Sequence, residues 1–361
     1  MTIQQIQVRK DALERAELVH VEPMGLADGA VRLAVESFSV TANNVTYAVV
    51  GDGFKYWDFF PAPAPYGIVP MWGHARVAKS RHPEIEVGER VYGYLPMGTS
   101  LDVVPGKVSA SGFTDMSEHR QPMSPVYNQY SRLAADPEHD PAREAERMIF
   151  GPLFRTGFLI ADFMKREDWF GAQAVLLTSA SSKTAMALAS AARAGSPEVR
   201  RIGLTSRGNV DFVARTGLYD EVVAYDAVEE IEPRPAVVVD FAGDADLLGR
   251  VHRHFADALR YSCLVGATHR EARSAFAEGG EQAPGPKPKL FFAPDHMIAF
   301  ARDHGREQAS RLVAQAWHRF LGEVEGAVEI DRRKGLAAAR EVWLEMVAGK
   351  VDPARGIVIE P

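Results

Sequence analysis

Short apolar segments alternate with helical patterns through the middle of the chain, and this feature constrains the fold more than any other. The segments are rich in Val, Leu and Ile, and stretches such as Ala185–Ala194 separate them. Strands that are apolar on both faces occur in parallel sheets covered by helices. The pattern therefore predicts an α/β fold with a doubly wound parallel sheet. The predicted strands are Val175–Thr178, Ile202–Thr205, Glu221–Tyr225, Ala236–Phe241 and Ser262–Gly266.

The first 110 residues have a different, β-rich character. Val31–Val40 alternates apolar and polar residues and is rich in β-branched side chains, as in a half-buried strand. Val69–Lys79 and Glu89–Tyr94 are further predicted strands. Residues 51–70 are rich in Gly, Pro and aromatic residues, which favours an ordered loop. The later elements that we expect are helices over 295–323 and 334–349 and a strand at Gly356–Ile359.

Charge and cysteine content exclude several classes of protein. The chain has 41 Lys and Arg against 48 Asp and Glu, a formal net charge of −7, whereas nucleic-acid binders usually carry a basic surface. Its single cysteine, Cys263, rules out a disulfide framework and Cys-rich metal sites and fits a reducing compartment. No apolar run approaches the roughly 18 residues of a membrane span, and no secretion signal opens the chain. We therefore expect a cytoplasmic protein with neither nucleic acid nor membrane as a partner.

The loop after the first predicted parallel strand is a candidate phosphate site. Ligands of open parallel sheets bind beyond the carboxyl ends of the strands, and helix N-termini favour anions. The usual glycines are absent, and small or hydroxyl residues with one lysine replace them. The alternative interpretation is that Ser181 or Ser182 simply caps the following helix. The candidate cofactor-binding residues here are Ser179, Ala180, Ser181, Ser182, Lys183 and Thr184.

The end of the second predicted parallel strand favours a phosphorylated nucleotide. An acidic residue at this place would bind a free ribose 2′-hydroxyl, but Ser206 and Arg207 stand there instead. A hydroxyl and a guanidinium suit a 2′-phosphate, so the sequence favours NADP over NAD. Arg201 is a weaker candidate for a second cation. The alternative is that Arg207 is an ordinary solvated loop arginine.

The order of these elements resembles the medium-chain dehydrogenase/reductase superfamily. Ile85–Gly93 is similar to its G-D-R-V turn and strand, and Leu153–Phe158 to the helix with a Thr before the nucleotide strand. Ala180–Ala185 lies where the superfamily has A-S-G-G-V-G, and Asp240–Gly243 is similar to its D-x-x-G strand end. More narrowly, the segments PMWGHARV, GERVYGYLPM and SSKT resemble the DUF2855 family.

This resemblance implies an architecture and a cofactor. It implies a GroES-like domain, residues 1–145 with 290–361, and an inserted Rossmann domain, residues 146–289. The implied cofactor is NADP(H), and the implied assembly is a homodimer formed through an edge strand at Ser262–Gly266 or Lys289–Phe292. Further cofactor-binding residues implied by the matching motifs are Thr156, Asp240, Gly243, Val265 and Gly266.

The resemblance also implies hydride transfer without zinc. Ala75 follows Gly73-His74 where zinc-dependent members have Glu, and the N-terminal domain has no cysteine. We therefore expect no metal and a reductase of the quinone or enoyl type that acts on a ketone, enone or quinone. One alternative is a nucleotide-binding sensor without catalysis, which the glycine-free loop favours. A reductase module for carrier-bound acyl groups ranks last, because no basic patch supports docking of a carrier.

Tyrosines are the best candidates for orienting a small-molecule substrate and donating a proton. We expect a loop at Thr41–Tyr47, with Asn44 and Tyr47 as polar candidates, and a second one around Tyr56 in the aromatic stretch. Aromatic rings with few polar groups suit a planar or acyl substrate, with Tyr94 and Tyr127 as further lining candidates. The alternative is that these rings fill a small core. His252–His254 is expected to be a solvated helix surface, and Cys263 a buried inert thiol.

Overall fold

The computed structural model describes residues 3–265 and 284–361. The chain forms two compact units, one from Met1–Pro152 with Glu329–Pro361 and the other from Leu153–Val328. The inserted domain is expected to end at residue 289, whereas the second unit continues to Val328. Among the described residues, no helix combines the length and apolar character that crossing a membrane requires.

The described helices and strands are numbered in chain order. The strands are β1 (Ile3–Arg9), β2 (Ala12–Val21), β3 (Val31–Val40), β4 (Tyr66–Gly67), β5 (Pro70–Ser80), β6 (Arg90–Pro96), β7 (Ser100–Val103), β8 (Pro105–Ser109), β9 (Gly112–Asp115), β10 (Gln129–Arg132), β11 (Ala174–Leu177), β12 (Arg200–Thr205), β13 (Glu221–Ala224), β14 (Ala236–Asp240), β15 (Leu259–Val265), β16 (Lys289–Phe291), β17 (Glu329–Lys334) and β18 (Arg355–Glu360). The α-helices are α1 (Ala42–Val49), α2 (Glu144–Arg166), α3 (Lys183–Gly195), α4 (Val210–Arg215), α5 (Ala245–Phe255), α6 (Ala293–His304), α7 (Arg306–Glu323) and α8 (Gly335–Val347).

The strands of the first unit form two sheets. The larger sheet has the order β17-β18-β3-β5-β6-β10-β9-β8, with β7 also paired to β3, and the smaller sheet has the order β2-β1-β4. β3 shows how the sequence specifies this unit. Its alternate residues Val31, Leu33 and Val35 are buried, because successive side chains of a strand point to opposite faces. Trp343 of α8 lies in the same core.

The second unit contains a parallel sheet of order β13-β12-β11-β14-β15-β16. β11 and β14 are buried along their whole lengths, which explains their continuous apolar sequences. The chain changes its direction of progress across the sheet between β11 and β14, and ligands of such sheets bind at this switch point. The predicted fold class, a β-rich domain with a doubly wound parallel-sheet domain, is confirmed.

Aromatic packing explains why the second unit extends past residue 289. The ring of Phe154 on α2 lies 5.2 Å from Trp317 and 5.3 Å from Phe320, both on α7. The ring of Phe158 meets Phe300 of α6 edge-on at 5.4 Å. These helices therefore cover apolar side chains of α2, and the sequence shows their helical pattern without showing which unit they cover.

Candidate functional site

The ends of β11 and β14 are joined at the switch point by one hydroxyl. Thr178 Oγ1 donates to Asp240 Oδ1 at 2.5 Å and accepts the backbone N–H groups of Phe241 at 2.8 Å and Ala242 at 3.0 Å. Thr178 and Asp240 are both fully buried. The geometry thus makes Asp240, a predicted cofactor-binding residue, part of the support of the switch point. Gly243 follows with φ +71°, a backbone region that favours glycine.

The loop from Ser179 to Ser182 makes its tight turn without glycine. Ser179 has φ +48°, in the left-handed region that non-glycine residues rarely adopt. Its carbonyl accepts the N–H of Ser182 at 2.7 Å, and its own N–H donates to the hydroxyl of Tyr225 at 3.1 Å. The N–H of Ala180 donates to the carbonyl of Leu204 at 3.0 Å. Neighbouring elements therefore hold the strained turn in place.

Helix α3 begins at the end of this loop. Ser182 is its N-cap, and its Oγ accepts the N–H of Ala185 at 3.3 Å. Ser181 and Thr184 are buried, and the Oγ of Ser181 accepts from Asn209 Nδ2 at 3.4 Å. The capping interpretation of Ser182 is therefore correct, and the positive end of a 13-residue helix dipole lies at the same place. Lys183 is half-buried in the first turn.

Gly157 on α2 allows α2 and α3 to approach closely. A Cβ at this position would lie 2.6 Å from the backbone nitrogen of Leu188 and 2.7 Å from the carbonyl oxygen of Thr184. Thr156, a predicted cofactor-binding residue, is half-buried and directly precedes this contact. Sequence reasoning missed the role of Gly157, although a small residue inside an otherwise bulky helix is a visible sign of close packing.

The end of β12 holds a buried hydroxyl and an exposed ion pair. Thr205 is buried, and its Oγ1 has no hydrogen-bond partner among the described residues. Ser206 is exposed. Arg207 Nη2 lies 2.6 Å from Asp226 Oδ2, and this guanidinium lowers the pKa of the Asp226 carboxyl. Sequence reasoning missed both Thr205 and Asp226.

Two other predicted positions can be placed, and one cannot. Arg201 is buried and bonds Asp220 through its backbone N–H at 2.7 Å and through Nη2 at 2.6 Å. The suggestion that Arg201 is a second cation for the ligand is therefore wrong, because its guanidinium is buried as well as paired, whereas that of Arg207 is exposed. Val265 is half-buried at the end of β15. Gly266 lies outside the described residues.

Asn44 in the first unit lies in a helix where the sequence analysis expects a loop. Its Oδ1 accepts the N–H of Thr41 at 2.7 Å and the hydroxyl of Thr41 at 3.0 Å, and its Nδ2 donates to the carbonyl of Pro70 at 2.8 Å. Thr41 and Asn44 form the capping box that begins α1, and the bond from Asn44 to Pro70 ties this helix to β5. Asn44 is buried and structural in this geometry.

Four tyrosines of the first unit form one cluster. Tyr47 lies 4.6 Å from Tyr56 between ring centroids, and Tyr94 lies 4.9 Å from Tyr127. The hydroxyl oxygens of Tyr56 and Tyr127 are 3.0 Å apart, and Trp72 Nε1 donates to the hydroxyl of Tyr47 at 3.1 Å. The Tyr94 hydroxyl is buried without a partner among the described residues. The structure therefore brings the predicted Tyr47 and Tyr56 together.

Burial further disfavours the charged form of the phenols in this tyrosine cluster. Loss of solvent raises the pKa of Tyr47 and Tyr56, and it raises the pKa of Tyr94 and Tyr127 well above the ordinary value. All four phenols are therefore neutral at physiological pH and keep the proton that a hydrogen-bond donor needs.

The aromatic loop before β4 divides into core and accessible residues. Trp57, Phe59 and Phe60 are buried in the hydrophobic core, so the core-filling interpretation is correct for these three rings. Tyr56 is half-buried, and Phe54 is 44% exposed. Tyr56 is consequently the member of the predicted catalytic set that combines cluster contacts with access to solvent.

His74 is a buried neutral side chain. Both of its ring nitrogens lack hydrogen-bond partners among the described residues, and burial lowers its pKa to about 3. Across the described part of the chain, no group of three or more His, Cys, Asp or Glu residues could hold a metal ion. Cys263 is buried, and burial raises the pKa of its thiol, as expected for an inert cysteine.

Comparison with known proteins gives a family and a fold. The family described as Protein of unknown function (DUF2855) matches residues 38–352. A search of curated proteins finds no match.

Several solved structures share the fold at low sequence identity. CurA from Vibrio vulnificus in complex with NADPH has a TM-score of 0.61 and 14% identity, over 99% of this chain and 98% of that chain. A quinone oxidoreductase from Coxiella burnetii has a TM-score of 0.53 and 14% identity, over 100% of both chains. The yhdH oxidoreductase from Salmonella enterica in complex with NADP has a TM-score of 0.52 and 15% identity, over 100% of both chains. At these identities the comparison shows that the chain shares the fold of these structures.

Proposed function

The chain belongs to the DUF2855 family, and from this premise we propose that it is an NADPH-dependent, zinc-independent reductase. Its substrate would be a ketone, an enone or a quinone, reduced at a carbonyl or an activated C=C. The observation that carries the proposal is the switch point between β11 and β14, where a loop of small residues meets the N-terminus of α3. The similarity to NADP(H) complexes of the same fold supports the choice of cofactor.

The residues present fit the nucleotide. The buried hydroxyl of Thr205 has no partner among the described residues, and a buried polar group normally requires one. Arg207 supplies a cation at the same strand end. Among the described residues, those that would hold the cofactor are Thr156, Ser179, Ala180, Ser181, Ser182, Lys183, Thr184, Thr205, Ser206, Arg207, Gly243 and Val265. When bound, NADPH supplies the hydride, and the protein's task is to orient and polarise the substrate.

Tyr56 is the proposed proton donor. It is half-buried, and its hydroxyl oxygen lies 3.0 Å from that of Tyr127. A neutral phenol can donate a hydrogen bond to a carbonyl oxygen and pass it a proton as negative charge develops there. Tyr47 is assigned a positioning role, because it is buried and its hydroxyl already accepts from Trp72.

A second candidate function is a nucleotide sensor without catalysis. The N–H groups of Ser179 and Ala180 are already bonded to Tyr225 and Leu204, whereas a phosphate site uses such groups for the ligand. This observation favours a weaker or slower site than a glycine-rich loop provides.

Steady-state NADPH oxidation distinguishes the two functions. We expect turnover with at least one member of a panel of enones, quinones, ketones and aldehydes, above the rate with cofactor alone. Binding of NADPH without turnover of any panel member would favour the sensor function instead.

We also propose a homodimer formed through β16. This strand is at the edge of the described parallel sheet; Leu290 within it is 37% exposed, and Phe292 directly after it is 38% exposed. Exposed apolar side chains at an edge strand are typical of a protein interface. Sedimentation should give the mass of two chains, and a monomer at micromolar concentration would contradict this assembly. The cytoplasmic location stays a prediction.

A further inference from the structure

The guanidinium of Arg207 forms an ion pair with a carboxylate, that of Asp226. Its Nη2 and Nε donate to the same oxygen, Asp226 Oδ2, at 2.6 Å and 3.1 Å. The two side chains are 76% and 60% exposed. A pair so accessible to water is weakly held, so a competing anion can reach the guanidinium.

Asp226 lies on the short segment Tyr225–Glu230, which also supports the loop from Ser179 to Ser182. It follows Tyr225, whose hydroxyl accepts the N–H of Ser179 at 3.1 Å. The same short segment, Tyr225–Glu230, carries Glu229, which accepts from Arg250 Nε at 2.7 Å. A carboxylate is therefore part of the surroundings of any phosphate that approaches Arg207.

We propose that Asp226 is a specificity-determining residue that competes with the 2′-phosphate of the nucleotide for Arg207. The inference rests on the proposed NADP(H) function and deepens it. A phosphate at Arg207 must displace Asp226 or share the guanidinium with it, and in both cases it meets a carboxylate of like charge. A nucleotide without the 2′-phosphate meets no such cost. Asp226 thus lowers the preference for NADP(H) below the level that Arg207 alone would give.

The test is calorimetric titration of the full chain with 2′,5′-ADP and with 5′-AMP. Asp226→Asn should bind 2′,5′-ADP about fivefold more tightly, the size expected for release from an exposed ion pair. Its affinity for 5′-AMP should not change. In an Arg207→Ala background the gain should disappear. Glu229→Gln is the matched control, since it removes one negative charge from the same segment and should leave both affinities unchanged.

Three results with the variants would overturn the inference. They are an unchanged or weaker affinity of Asp226→Asn for 2′,5′-ADP, an equal gain for both nucleotides, and an equal gain in Glu229→Gln. Wild-type protein that binds neither nucleotide would overturn the proposed cofactor and this inference together. Wild-type protein that binds NADPH and turns over no substrate would remove only the proposed activity, and the comparison of Asp226→Asn with wild type would still decide the inference.

Discussion

The two units of the molecule differ in how far their ionisable side chains are exposed to solvent. In the first unit, Tyr94 and His74 are fully buried, and burial disfavours the charged form of both side chains. At the strand ends of the second unit, Arg207 and Asp226 are exposed and charged, and each neutralises the other. The energetic contribution of buried neutral groups changes with pH and with packing. That of exposed ion pairs changes with salt concentration and with the loss of one partner.

The largest expected effect is the response of the first unit to acid. The pKa of His74 is about 3 in the folded chain, against about 6.5 when it is unfolded. Between these values the unfolded state binds more protons, so stability is lost as pH falls from about 6.5 towards 3. We expect a loss on the order of 4 kcal/mol from this residue.

Urea unfolding of a His74→Phe variant at several pH values checks this loss. The variant should lose much less stability in acid than the wild type does. It should still lose some, because burial also lowers the pKa of His252, which is unchanged in the variant. His20→Phe, at an exposed histidine, is the control. An acid response that is the same in His74→Phe and in wild type would show that His74 is not held neutral by burial.

The next effect concerns the support of the switch point. Thr178→Val removes the hydroxyl that donates to Asp240 and accepts from Phe241 and Ala242. We expect a loss of about 3 kcal/mol in the free energy of unfolding, because buried polar groups lose their bonds. Thr205→Val is the matched control, since its hydroxyl has no partner among the described residues and its removal should be neutral or stabilising. Equal destabilisation by the two substitutions would contradict this role of Thr178.

A smaller effect, on turnover, is expected when one hydroxyl of the tyrosine cluster is removed. Tyr56→Phe should lower kcat about 100-fold while NADPH binding stays the same, because it removes only the proposed proton donor. In wild type the rate should not fall through loss of this proton below about pH 10, since burial raises the pKa of Tyr56 from its ordinary value. Tyr66→Phe, at a tyrosine bonded to Glu17 on the surface, should keep full activity. A fully active Tyr56→Phe enzyme would move the donor elsewhere.

The contrast between the sites also explains which features the sequence could predict. The parallel sheet and the cap at Ser182 follow from local patterns, periodicity and helix-start residues, and both are present. The helix at Ala42–Val49 was missed, although Thr41 and Asn44 have the spacing of a capping box.

Pairings between distant segments were beyond prediction. The bond from Arg207 to Asp226 joins the ends of two strands that come together only in the folded sheet. His252, expected on a solvated surface, is buried, and its ring nitrogens lie 3.0 Å from the Ser262 hydroxyl and 3.0 Å from the Pro284 carbonyl. That expectation was wrong because burial of one helix face depends on what packs against it.

Fluorescence titration of the protein with NADPH and with NADH tests the central claim most directly. We expect NADPH to bind more tightly than NADH, and we expect Arg207→Ala to weaken NADPH binding about tenfold while NADH binding stays nearly unchanged. Equal affinity of the wild-type protein for both cofactors, or binding of neither, would contradict the assignment of the β12 end as a 2′-phosphate site.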